Sequence, residues 1–230
     1  MKLLVKKIKR ESSDSISIIF ERPKNLNFYP GQYLDIGFVT KKGIDSRIMS
    51  ISSSPSEDFL MITYKIGISP YKIALQDLKP GDIVESTHPA GTVVIDDSGS
   101  IVMIAGGIGI APHRSMIKWV VDRSRLDRDK KFNLPITLIY SNSDKDFIFK
   151  KELDQWVKLY PKLNIHYVVT SKDGRLTEAK LQQFLILSST NLVPIHYLAG
   201  PPSMVDDFEN ILLKLGVDET NIRTDRFDGY

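Results

Sequence analysis

The stretch Ile101-Val102-Met103-Ile104-Ala105-Gly106-Gly107-Ile108-Gly109-Ile110-Ala111-Pro112 decides how the second half of this chain is read. Five consecutive apolar residues without alternation describe a strand buried on both faces, as in a parallel sheet. The three glycines then fall between that strand and a helix predicted over 112–125. Residues without a Cβ let a backbone approach a pyrophosphate, and the free N–H groups of a helix N-terminus favour its charge. Proline at the first helical position gives up only an N–H that had no partner. Standing alone, the loop reads equally as a tight connection, since Pro112 occupies the third glycine site of the usual Gly-x-Gly-x-x-Gly.

Working outward, Ile136-Thr137-Leu138-Ile139-Tyr140 and the runs 165–169 and 195–198 repeat the apolar type, separated by helical stretches over 150–160, 177–187 and 203–215. The last helix carries Met204, Phe208, Ile211, Leu212 and Leu215 on one face, with Ser203 as its N-cap, Asp206 three residues on, and Gly216 after its end. Alternating strand and helix predict a doubly wound parallel α/β sheet. A second loop, Gly200-Pro201-Pro202-Ser203-Met204, reaches the same carboxyl edge, where ligands of open α/β sheets bind. Together the two loops predict a dinucleotide crevice.

The first half has a different period. Ser15-Ile16-Ser17-Ile18-Ile19-Phe20, Gln32-Tyr33-Leu34-Asp35-Ile36-Gly37-Phe38, Leu60-Met61-Ile62-Thr63-Tyr64-Lys65-Ile66 and Asp82-Ile83-Val84-Glu85 read as strands, punctuated by Pro30-Gly31 and Pro80-Gly81. One short helix is predicted over 70–78. Short strands with such turns predict a closed or nearly closed antiparallel β-barrel of Greek-key type. The polar hinge Asp96-Asp97-Ser98-Gly99-Ser100 divides a barrel domain, 1–97, from an α/β domain, 98–230.

Composition narrows the function classes. The chain has 230 residues, a formal charge of +3 and no cysteine, so disulfides, a catalytic thiol and thiolate-held iron–sulfur or zinc sites within it are excluded. No apolar run reaches the roughly 18 residues that span a bilayer, and Met1-Lys2-Leu3-Leu4-Val5-Lys6-Lys7 is too short in apolar residues for a signal peptide. A soluble, cytoplasmic protein is expected. No dense basic run interleaves with aromatics, so nucleic acid is not expected as a ligand. Lys6, Lys7, Lys9 and Arg10 fit a solvated strand edge or an acidic partner. The four histidines, His88, His113, His166 and His196, show no metal-ligand spacing, and no Ser-His-acid arrangement suggests a hydrolase.

An ordered series of motifs resembles the ferredoxin–NADP reductase-like flavin oxidoreductases over nearly the whole chain. Phe28-Tyr29-Pro30-Gly31-Gln32-Tyr33 resembles that family's Phe-x-Pro-Gly-Gln-aromatic turn, and Arg47-Ile48-Met49-Ser50-Ile51-Ser52-Ser53 its Arg-x-Tyr-Ser flavin motif. Ser69-Pro70-Tyr71-Lys72 through Leu78-Lys79-Pro80-Gly81-Asp82 and Pro89-Ala90-Gly91-Thr92 are similar to its helix, turn and Pro-x-Gly segment. Gly106 to Pro112 resembles its Gly-Gly-x-Gly-[IL]-[AT]-Pro, Gly200 to Met204 its Gly-Pro-Pro-x-Met, and Arg226-Phe227-Asp228-Gly229-Tyr230 its aromatic tails.

The resemblance implies a stand-alone reductase that moves a hydride from NAD(P)H to FAD and passes electrons to a separate acceptor, a ferredoxin-like or other acidic redox protein, an oxygenase component or a small molecule. It implies that Arg47 pairs with the flavin phosphate, that Ser50 places a hydroxyl near flavin N5, and that Ser52 and Ser53 are small residues under the ring. Lys65, Ser69 and Lys72 would reach phosphates, and Ile48, Met49, Tyr64 and Tyr71 complete the flavin set. Gly106, Gly107, Ile108, Gly109, Pro112, Ser141, Asn142, Gly200, Pro201, Pro202 and Met204 would hold the dinucleotide. Phe227 and Tyr230 would cover the flavin face that the nicotinamide approaches; the alternative is a tail that docks on the second domain. Met49 stands where the family has tyrosine, and Ala199 where many members have cysteine. Ser141-Asn142-Ser143 lacks the arginine that a 2′-phosphate favours, which leans toward NADH, with Lys145 as a possible substitute. A non-enzymatic flavin-binding or regulatory subunit is the alternative from another class.

Overall fold

The computed structural model describes residues 1–40, 43–126, 133–187 and 193–227. The first half forms β1 (Lys2–Arg10), β2 (Ser15–Glu21), β3 (Tyr33–Thr40), β4 (Gly43–Ser50), β5 (Phe59–Lys65), α1 (Pro70–Asp77) and β6 (Ile83–Ser86). Their antiparallel sheet has the order β4-β3-β6-β1-β2-β5. A bridge between Ile51 and Ile62, with Ser52 N–H donating to Met61 O at 2.8 Å, joins the two outer strands and closes the barrel. Since β3, β4 and β5 follow in turn and β6 returns beside β3, the connection is the Greek key expected.

The period-2 pattern explains the barrel core. In β1, Leu3 and Val5 point inward while Lys2, Leu4 and Lys6 point outward, until a register shift between Val5 and Lys7 exposes two lysines in a row. Of the barrel strands, β5 is buried along both faces. Leu60, Ile62 and Tyr64 join the barrel core, whereas Met61 belongs to the core of the second half. That strand is therefore the common wall of the two halves.

The second half runs β7 (Ser100–Gly106), a 3₁₀ turn over Gly107–Gly109, α2 (Ile110–Leu126), β8 (Ile136–Asn142), α3 (Lys150–Leu159), β9 (Leu163–Val169), a single turn α4 (Thr170–Asp173), α5 (Glu178–Leu187), β10 (Pro194–Gly200), α6 (Pro202–Lys214) and β11 (Ile222–Arg226). All neighbouring strands pair in parallel, in the order β11-β10-β7-β8-β9. Along β7, Ile101, Met103 and Ala105 pack toward α2 and α3, while Val102 and Ile104 pack toward α5 and α6, so helices cover both faces. The order reverses between β7 and β10, and the two glycine-bearing loops leave the sheet on either side of that switch point.

Three local expectations are corrected. Pro112 is the third residue of α2, because the 3₁₀ turn already starts the helix at Ile110; it still lies in the turn whose N–H groups have no intrahelical acceptor. Ser203 does not cap α6: Pro201 occupies the N-cap position without a side-chain cap bond, Pro202 supplies the first helical φ, and Asp206 instead accepts from Arg226 at 2.8 Å. The edge strand β11 was not foreseen, since Ile222-Arg223-Thr224-Asp225-Arg226 has one buried apolar residue and no alternation. Gly216 ends α6 as expected, with φ +85° and the paired bonds Gly216 N–H to Leu213 O and Val217 N–H to Leu212 O.

Candidate functional site

Two cavities open where the barrel meets the carboxyl edge of the parallel sheet. The first, about 620 Å³, lies against the barrel and is lined by Arg47, Ile48, Met49 and Ser50 of β4, Tyr64 and Lys65 of β5, Ser69, Tyr71 and Lys72 around α1, and Phe227. Eleven of the sequence-derived residues thus converge on one chamber when Ile108, from the glycine loop, is counted with them. The neighbouring β3 adds Tyr33 and Asp35, which the sequence did not mark.

Charge in this chamber is arranged around a few side chains. Arg47 donates to Asp45 at 2.5 Å and to Ser46 O at 2.7 Å, with its guanidinium 5.4 Å from the Tyr71 ring. The Tyr71 hydroxyl donates to Ile36 O at 2.8 Å, which fixes that ring. Ser69 accepts from Lys72 N–H and so caps α1 while facing the chamber. On β11, Asp225 receives a hydrogen bond from Ser50, and burial nevertheless pushes its carboxyl up to about 6. Asp225 is a further residue the sequence missed, because its strand was missed.

The chamber also fits a polar, partly aromatic ligand. Tyr64 is 4% exposed and its hydroxyl has no hydrogen-bond partner, nor has Oδ1 of Asp35, and both residues line the space. Buried polar atoms are ordinarily satisfied, so these two mark places for a ligand's donors or acceptors. The Tyr64 phenol is pushed up to about 12 by burial and stays protonated, a donor at neutral pH.

The second cavity, about 600 Å³, runs over the sheet edge and is lined by Gly106, Gly107, Ile108, Ser141, Asn142, Pro201 and Met204, all foreseen, together with Ser143, Thr170, Arg175, Leu176, Ser203, Asp207 and Phe208. Lys65, Lys72 and Ile108 face both cavities. Lys65 is held by Asp14 at 3.0 Å and stands beside Gly107. Gly107 has φ +53° and lines the cavity, and a Cβ added to it would make only ordinary contacts, the nearest with Lys65 Cε at 3.7 Å.

The remaining glycines do something else. A Cβ on Gly106 would lie 2.3 Å from Met204 Sδ, one on Gly109 2.1 Å from Ala199 O, and one on Gly200 2.7 Å from Met204 Cε. They let the two loops pack on each other; the phosphate argument applies to Gly107. Gly109, Pro112, Gly200 and Pro202 line neither cavity. Nor do Ser52 and Ser53, which are completely buried: Ser52 Oγ donates to Met61 O and pairs with Thr63 Oγ1 at 2.8 Å, and Ser53 Oγ accepts from Met61 N–H. Tyr230 lies outside the described residues. Phe227 is anchored by its N–H to Gly200 O at 3.0 Å.

Arg175, from the loop after α4, bears on the nucleotide preference. No hydrogen bond or ion pair holds it among the described residues, and it stands in the same cavity as Ser141, Asn142, Ser143 and Thr170. Asp144, the acid nearest the end of β8, is turned to its own loop, accepting from Asn142 Nδ2 at 3.1 Å and Asp146 N–H at 2.8 Å. His113 is buried with its imidazole pushed down to about 3, a neutral core residue that touches neither cavity.

Residues 103–210 match the oxidoreductase NAD-binding domain family. Flavohemoprotein A of Dictyostelium discoideum is 29% identical over 94% of this chain and 57% of its own length, so the chain spans little more than half of that relative. NADH-cytochrome b5 reductase 1 of Scheffersomyces stipitis is 31% identical over 90% of this chain and 76% of its own length. Among solved structures, a ferredoxin NADP+ reductase from Neisseria gonorrhoeae with bound FAD and NADP superposes with a TM-score of 0.81 over 98% of both chains at 22% identity, a likeness of fold. No helix among the described residues is long and apolar enough to cross a membrane.

Proposed function

The chain belongs to the ferredoxin–NADP reductase-like family of flavin oxidoreductases, and on that premise we propose that it oxidises NAD(P)H at a bound FAD and hands the electrons to a separate acceptor. The observation that carries this is the shared wall: one chamber built from flavin-motif residues and one built from the dinucleotide loops meet at Ile108, Lys65 and Lys72. A bound FAD would supply the redox chemistry, accepting a hydride from the nicotinamide and releasing two electrons onward.

The chain's own residues bind and orient. Arg47 leaves Asp45 for a flavin phosphate, and Tyr71 supports it from below; a forked guanidinium suits that task. Ser50 presents its hydroxyl where the two cavities approach, and Asp225 behind it holds a proton below about pH 6. Met49 packs a thioether against the ring where the family has an aromatic. Phe227 covers the face that the nicotinamide needs. Lys65 and Lys72 serve phosphates from the shared wall, and the backbone of Gly107 with the start of α2 receives the pyrophosphate. Ser141, Asn142, Thr170 and Arg175 take the adenosine end. We divide the two domains at Asp97, expect a separate acceptor, an acidic redox protein among the candidates, and assign the protein to the cytoplasm.

Anaerobic titration with NADH and with NADPH, followed by flavin absorbance, tests the reading. Bleaching by at least one nucleotide is expected. A flavin-loaded protein that neither nucleotide bleaches would leave only the flavin-binding subunit.

A further inference from the structure

The helix that begins with the dinucleotide loop also grips the segment that continues the flavin strand. Arg114, in the second turn of α2, is 3% exposed, and all five of its guanidinium N–H groups are used. Toward the barrel, Nη1 donates to Ser52 O at 2.7 Å and to Glu57 Oε2 at 2.9 Å, and Nη2 to Glu57 Oε1 at 3.0 Å. Toward α3, Nε and Nη2 donate to Glu152 Oε2 at 2.9 and 2.7 Å. The rings of Phe149 and Trp156 lie 5.2 and 5.3 Å from the guanidinium. The neighbouring Ser115 donates to Ser53 O at 2.6 Å, and two turns along, Asp122 accepts from Ser56 Oγ at 2.6 Å.

Cohesion alone does not call for this network. Apolar residues of similar volume hold buried surfaces together as firmly as a buried ion pair, or more so. A planar fork with every donor occupied differs in permitting one register between the parts it joins. Here those parts are α2, whose first turn follows Gly107–Gly109, and residues 52–57, which follow Ser50 by one residue.

We infer that Arg114 is a positioning residue for the transfer: by fixing α2 to residues 52–57 it sets the separation between the dinucleotide loop and the flavin strand. This rests on the functional reading above. Reacting atoms tolerate little misplacement, about 1 Å costing on the order of a hundredfold in rate. A lysine at the same place keeps a charge for Glu57 and Glu152 but offers a point donor in place of the fork.

The test compares wild type with Arg114→Lys and with the milder Ser115→Ala. Flavin reduction is followed anaerobically at saturating nucleotide, protio and C4-deuterated, and amide hydrogen exchange is followed over residues 52–57 and 107–113. In Arg114→Lys the limiting reduction rate is expected to fall about tenfold or more while KM changes by less than about threefold. The isotope effect is expected to become temperature-dependent, and exchange to rise in both segments together. Ser115→Ala is expected to move the same readouts about two- to threefold in rate, and it decides alone if Arg114→Lys does not fold. An unchanged limiting rate and isotope effect in a less stable variant would overturn the inference, as would exchange rising in one segment only. Should neither nucleotide reduce the wild type, the functional reading fails by itself. The exchange measurement then judges Arg114: a joint rise supports the coupling and a one-sided rise overturns it.

Discussion

The barrel-side chamber and the sheet-edge cavity are nearly equal in volume, about 620 and 600 Å³, yet they are built in opposite ways. Ser46 to Ser50 of β4 line the first in one unbroken run, and because a strand's side chains alternate between its two faces, backbone as well as side chains makes that wall. The second is made where several chain crossings meet, and its glycines act mainly by letting Met204 and Ala199 close over them. A side-chain motif thus carries its own meaning, whereas a glycine motif takes its meaning from what packs against it.

Substitutions at the glycines press this contrast hardest. Gly109→Ala drives a Cβ to 2.1 Å from the Ala199 carbonyl oxygen, and backbone cannot swing aside, so a loss of about 3 kcal/mol or more in denaturant unfolding is expected. Gly107→Ala meets Lys65 and Asn142 only at ordinary contact distance and carries the left-handed conformation, about 1–2 kcal/mol, with its larger effect on dinucleotide binding. Equal losses at the two positions would erase the distinction.

The next effect lies in the barrel-side chamber and is set by pH. Burial raises the Asp225 carboxyl from 3.8 to about 6, so its contribution to stability is complete below pH 3.8 and is lost as pH rises through about 6. Relative to Asp225→Asn, wild type is expected to lose about 2 kcal/mol between pH 4 and 7 in parallel thermal or urea melts. A flat difference would mean that Asp225 is not held out of water. Arg47→Ala should weaken flavin retention about tenfold in equilibrium dialysis, because a charge-assisted contact to phosphate is lost while the barrel keeps its core. Smallest of all, Arg175→Ala should lower NADPH relative to NADH efficiency about fivefold in kcat/KM, and a variant unchanged in that ratio would remove the arginine from the 2′ position.

Legibility followed the same divide. The parallel strands announced themselves because burial on both faces demands unbroken apolar runs, and the barrel because one-sided burial demands alternation. β11 escaped, being an edge strand that buries only Ile222 deeply, and with it went Asp225 and its hydrogen bond to Ser50. Ser52 and Ser53 sit in the flavin motif but turn inward to tie Met61, since they directly follow Ile51, whose bridge to Ile62 closes the barrel. The lean toward NADH rests on the lack of an arginine beside Ser141; Arg175, from a loop some thirty residues on, lines the same cavity, a neighbourhood that local sequence does not encode. Arg114 gave no signal either, because a buried arginine in an amphipathic helix is told from an exposed one only by its partners.

Lys65, Lys72 and Ile108 belong to two cavities at once. Ligands that share a wall are thermodynamically linked: whatever factor a bound dinucleotide applies to flavin affinity, the flavin applies to dinucleotide affinity. Removing either lysine therefore alters two dissociation constants together. A purification carried out without nucleotide samples the protein in only one corner of that four-state cycle.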